Sequence, residues 1–143
     1  MSIRFFSDGI SFHLEGKRKI SQWLKQVATE EGKKTGNLHY IFVSDEIILE
    51  MNQKYLQHND YTDVITFDDV AGNIISGEMY ISIDSVRRNA KDYHVDFRNE
   101  LFRVMAHGVL HLCGHRDKTA EEQQEMRMAE NKYLSNLFKD VRS

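Results

Sequence analysis

The chain contains no proline, and nothing in the sequence accounts for that. It has one cysteine, Cys113, so no intrachain disulfide can form, which fits a reducing compartment. No run of about 18 apolar residues occurs, which argues against a membrane-spanning helix. The opening residues, Met1-Ser-Ile-Arg-Phe-Phe-Ser-Asp, lack the apolar core of a signal peptide, so a cytoplasmic location is expected. Charge is nearly balanced at −3, which excludes a wholesale nucleic-acid magnet; any RNA contact must use a local basic patch. Basic residues cluster at Lys17-Arg-Lys19, Lys33-Lys34 and Arg87-Arg88, and solvated helix faces explain them equally well.

With 41% apolar and 29% charged residues over 143 positions, the composition is that of one globular domain spanning 1–143. Ile3 to Phe6 reads as a strand, and the alternation Ile10, Phe12, Leu14 as a second. From Lys17 to Glu31 the period becomes helical, with Ile20, Trp23, Leu24 and Val27 inward. Gly32 to Gly36 reads as a loop, without the spacing of a phosphate-binding loop. Leu38 to Val43 reads as a strand. Ser44 caps a helix from Asp45 to about Gln57, which buries Ile48, Met51 and Tyr55.

Strands follow at Val64–Phe67 and Glu78–Ile83, joined by a loop. Asp84 is the expected cap of a helix with Val86, Ala90 and Tyr93 inward. Asp96 caps the next, which turns Leu101, Val104, Met105 and Gly108 to the core. Thr119 and Glu122 form a capping box for the last helix, with Met126, Ala129, Tyr133 and Leu137 inward. The expected fold is α+β: about four strands in one mixed sheet, packed with about five helices, with a metal-binding helix near the C-terminus.

Chemistry concentrates at His107-Gly-Val-Leu-His111-Leu-Cys-Gly114-His115-Arg-Asp117, which holds three of the seven histidines. His107 and His111 are four apart and share one helix face. Gly114 suits a helix end, after which the chain turns back to present His115 and Asp117. Two imidazoles, a third donor from the turn and one open position suit a tetrahedral metal, zinc first. Metzincin proteases have a similar spacing but place glutamate directly after the first histidine as general base; here that residue is Gly108, so a peptidase is disfavoured. Cys113 reads as a small buried residue facing away from the pair, and His13, His39 and His94 as structural or solvated.

Several blocks together resemble the YbeY-type family of bacterial metal-dependent endoribonucleases and ribosomal-RNA maturation factors. They are His107-Gly-Val-Leu-His-Leu-Cys-Gly114, Met51-Asn-Gln-Lys-Tyr55, Thr62-Asp-Val-Ile-Thr-Phe67 and Gly77-Glu-Met-Tyr-Ile-Ser82. The resemblance implies one zinc ion held by three residues. It also implies single-strand-specific cleavage in maturing the 3′ end of the small-subunit (16S) ribosomal RNA, and a link to ribosome quality control. Expected partners are ribosomal RNA and small-subunit components, with no membrane and a monomer as default.

Two departures stand out. The family's motif ends Gly-Tyr-Asp-His, and its last histidine aligns with Asp117; His107, His111 and Asp117 are therefore the expected ligands, with His115 the competitor to Asp117. An anionic third ligand leaves less positive charge at the metal, so a bound water is less acidic. Leu56 stands where the family usually has a substrate-facing arginine, and Lys54 and His58 are nearby candidates to replace it. Tyr61 and Asp68 replace family prolines. The rival expectation is a non-catalytic ribosome-assembly factor with a structural zinc.

Overall fold

A computed structural model of the chain describes residues 2–56 and 62–142, with the side chains of 56 and 139–142 left out. His58 and Tyr61 thus lie outside the described residues, as does the side chain of Leu56. Four strands form one mixed sheet: β1 (Ile3–Ser7), β2 (Lys34–Val43), β3 (Val64–Asp68) and β4 (Ile74–Ser82), in the order β1-β2-β4-β3. β1 and β4 run parallel to β2, and β3 pairs antiparallel with β4. The helices are α1 (Lys17–Glu30), α2 (Asp45–Met51), α3 (Ile83–Asp92), α4 (Phe97–Leu112) and α5 (Ala120–Arg142).

Alternation along β2 divides the interior. Leu38, Tyr40 and Phe42 enter the main core with α1, α4 and α5, whereas Ile41 and Val43 join a smaller cluster with Ile48 of α2 and Ile65 of β3. The sheet is therefore covered on both faces, very unequally. Buried polar groups tie the layers together. The Trp23 indole donates to the Tyr133 carbonyl at 2.8 Å, and the Tyr40 hydroxyl to the Met105 carbonyl at 2.9 Å. Burial raises the Tyr40 pKa. Gly108 sets how closely α4 approaches the sheet: a Cβ there would lie 2.4 Å from the Met79 sulfur. The position that holds the proteolytic glutamate elsewhere here faces β4.

The architecture is the expected α+β domain; several details differ. Residues 10–14 form no strand: Phe12 packs edge-on against Phe42 and Phe97, and Leu14 is buried. Their alternation is satisfied by packing, not by pairing. β2 begins at Lys34, inside the expected loop, because Lys34 and Thr35 pair with Ile74 and Ile75 before a register irregularity. Ser82, not Asp84, caps α3, its hydroxyl accepting from the Ser85 N–H at 3.2 Å. Asp84 instead accepts from the Asp45 N–H.

Two tyrosines expected in the core are exposed. Tyr55 is 57% exposed, because after Met51 the helix loosens into a π-turn, Asn52–Leu56, which carries it off the helical stripe. Tyr93 is 56% exposed, sitting at the C-cap of α3 where the chain swings to His94 at φ 57°.

Candidate functional site

α4 is buried along most of its length and presents His107 half-buried and His111 exposed. It ends in a Schellman turn. The His115 N–H donates to the Leu110 carbonyl at 3.0 Å, and the Gly114 N–H to the His111 carbonyl at 3.1 Å. Gly114 takes φ 109°, where a side chain is disfavoured. The capping box forms as expected: the Glu122 N–H donates to the Thr119 hydroxyl at 3.1 Å, and the Thr119 N–H to Glu122 at 3.0 Å. The Gln123 amide also donates to the Asp117 carbonyl at 3.0 Å.

These constraints set Asp117 Oδ2 3.3 Å from His107 Nε2. On the other ring nitrogen, His107 Nδ1 lies 2.8 Å from Glu130 of α5. Glu130 in turn accepts from Arg103 at 3.0 Å, and Arg103 donates to Asn131 at 2.7 Å. A chain of contacts thus runs Arg103–Glu130–His107–Asp117. Burial pulls the His107 pKa down, but Glu130, Asp117 and Asp63 outweigh it and hold the imidazole above its ordinary range.

This chain lines a cleft of about 600 Å³ that also receives Asp63 and Glu100. Burial raises the pKa of both carboxyls, opposed at Asp63 by His107 and reinforced at Glu100 by Asp63.

His115, the competing ligand, is engaged elsewhere. Its Nε2 lies 2.6 Å from Glu31, just past α1, and the Tyr133 hydroxyl donates to the other Glu31 oxygen. Burial works to raise the Glu31 pKa, but the Tyr133 and His115 hydrogen bonds overcome it and hold the carboxyl below its usual range. His115 does not line the cleft, and neither does His111. Burial pushes the half-buried Cys113 thiol up to about 11, so it stays protonated at neutral pH.

Of the expected donors, then, His107 and Asp117 stand together, His111 is exposed one turn along α4, and His115 is turned to Glu31. Among the described residues, no three His, Cys, Asp or Glu side chains already stand as a metal-holding group. The donor chemistry nevertheless fits zinc. Two ligands on a tetrahedral zinc, each at about 2.0 Å, stand about 3.3 Å apart, which is the His107–Asp117 separation. A carboxylate behind the second ring nitrogen is the usual partner of a ligating histidine.

Glu130 was missed in reading the sequence, together with Arg103, Asp63 and Glu100. A signal was present for Glu130. It falls among Met126, Ala129 and Tyr133, the inward residues of α5, and a carboxylate there requires a buried partner.

Fold and cleft together define an α+β domain with a histidine–carboxylate centre on a buried helix. The family model described as endoribonuclease YbeY matches residues 5–138, and the chain belongs to that family. A Parabacteroides distasonis protein named endoribonuclease YbeY is 48% identical over 142 residues, covering 99% of this chain and all of that protein. One of the same name from Bacteroides thetaiotaomicron is 45% identical, covering 94% of this chain and 98% of its own. Among solved structures, that of TM1509 from Thermotoga maritima matches with a TM-score of 0.67 at 28% identity, over 98% of this chain and 91% of that one. Among the described residues no helix is long and apolar enough to cross a membrane.

Proposed function

We propose that this member of the endoribonuclease family hydrolyses phosphodiester bonds of single-stranded RNA with one zinc ion held by His107, His111 and Asp117. Its substrate is the 3′ end of the small-subunit ribosomal RNA, met in the cytoplasm with other small-subunit components during maturation and ribosome quality control. The observation that carries the reading is the 3.3 Å approach of Asp117 to His107 in the cleft of a chain from this family.

Bound zinc supplies positive charge to a phosphate oxygen and lowers the pKa of water toward about 7. The chain's own residues prepare for it. Glu130 holds the Nδ1 side of His107, which leaves Nε2 to face Asp117. Arg103 offsets the charge of Glu130 and fixes its direction. His111, exposed one turn along the same helix, is the remaining donor of the set.

The test is cleavage of a small-subunit ribosomal-RNA 3′ fragment by the native protein and by His111→Ala, with and without zinc, with the fold checked by circular dichroism. Cleavage by the native protein alone is expected. A folded, zinc-bound native protein that leaves the RNA intact would sink the nuclease reading in favour of an assembly factor.

A further inference from the structure

The cleft receives side chains that neither the histidine–carboxylate centre nor the core uses: Asn89 of α3 and Tyr93 at its C-cap, and Gln124 and Arg127 from α5. Two of them are unusual. Tyr93 is a large ring, more than half exposed, at the C-cap of its helix. A ring so exposed presents apolar surface to solvent at the cleft. Arg127 is exposed and makes no hydrogen bond or ion pair with another described residue, although its charge is felt by the buried Glu100.

The charge balance of the cleft gives Arg127 its importance. Asp63, Glu100, Asp117 and Glu130 repel a polyanion, and the other arginine of the lining, Arg103, is committed to Glu130 and Asn131. Arg127 is left to attract phosphate. It stands three residues before Glu130 on α5, on the same helix face and about 4.5 Å along the axis. That puts a guanidinium, unpaired among the described residues, beside the group that holds His107.

We infer that Tyr93 and Arg127 form the strand-holding subsite, with the ring stacked on a base and the guanidinium on a phosphate of the same single-stranded RNA. The inference rests on the endoribonuclease reading. A single strand exposes both partners, a base face and a phosphate in every nucleotide; a duplex hides the base faces. Stacking on an aromatic ring tolerates any base, and a guanidinium grips a phosphate through two parallel N–H donors.

The test measures binding of the zinc-loaded protein to a short, unstructured, fluorescently labelled RNA over a salt series, alongside cleavage of the same RNA. Tyr93→Ala should weaken binding about tenfold, as the loss of one stacked base does. Tyr93→Phe should restore it, because the ring and not the hydroxyl stacks, whereas a merely structural tyrosine would show no such pairing. Arg127→Gln should lower the slope of log affinity against log salt by about 0.7, the value of one phosphate contact on a single strand. Native-like binding by folded Tyr93→Ala, failure of Tyr93→Phe to rescue, or an unchanged slope in Arg127→Gln would overturn the inference. If those results come with a native protein that cleaves the RNA, only the subsite is lost. If the native protein neither binds nor cleaves, the endoribonuclease reading falls first.

Discussion

His107 and His115 lie eight positions apart, and each meets a glutamate at hydrogen-bond distance, Glu130 in one case and Glu31 in the other. The first pair lines a cleft, and its histidine keeps a second nitrogen facing Asp117. The second pair lies outside the cleft lining and is completed by the Tyr133 hydroxyl, which ties the end of α4 to α1 and α5. Residue type does not separate the two. The difference lies in where each pair stands, in the cleft or outside its lining, and the Schellman turn separates the two histidines. One pair faces a cleft and the other fastens helix ends together.

The comparison breaks most visibly through Glu130. Replacing it by Gln keeps the shape and removes the charge, and RNA cleavage should fall about 10- to 100-fold, the range for a partner behind a metal-ligating histidine. Native cleavage by a folded Glu130→Gln protein would make the Glu130 pair as passive as the other. Next comes His115→Ala. Losing its contact to Glu31 should cost about 1–2 kcal/mol in urea unfolding, since the pair is partly exposed, with cleavage near native at assay temperature. Loss of cleavage with stability untouched would reverse the assignments and make His115 a ligand.

The smallest effect concerns acid. Glu31 has its pKa depressed in the fold, so its stabilising contribution is complete above the ordinary glutamate range and is lost as pH falls through the depressed value. Stability of the native protein should therefore decline from about pH 4.3 downward, and Glu31→Gln should flatten that decline. Parallel acid curves for the two proteins would show that the clamp has no share in it.

Much of this arrangement was legible in the sequence, for physical reasons that differ by element. Long periodic stretches were clear: α1, α4 and α5 bury Ile20, Trp23, Leu101, Val104, Met126 and Tyr133 where a period of 3.6 places them. The capping box was legible because both of its partners lie within four residues. Residues 10–14 misled, since an edge of chain packed through Phe12 and Leu14 alternates just as a strand does. Tyr55 and Tyr93 misled because a π-turn and a helix end break the period that the count assumes. In the site, His107 and Asp117 share one short turn and could be read together. Glu130 was legible only as a carboxylate among inward residues of α5; its partner, like that of Glu31, was not, because no local pattern specifies how the helices dock.

The turn from Gly114 to Thr119 is fastened at both ends, by the Schellman bonds on one side and the capping box on the other, and Gln123 holds the Asp117 backbone between them. Conformational entropy in this segment is therefore surrendered when the helices dock, before any ligand arrives. A ligand engaging Asp117 restricts a side chain and little else, so more of its contact energy survives as affinity. Loosening the turn, even without touching a donor atom, should weaken binding through entropy alone.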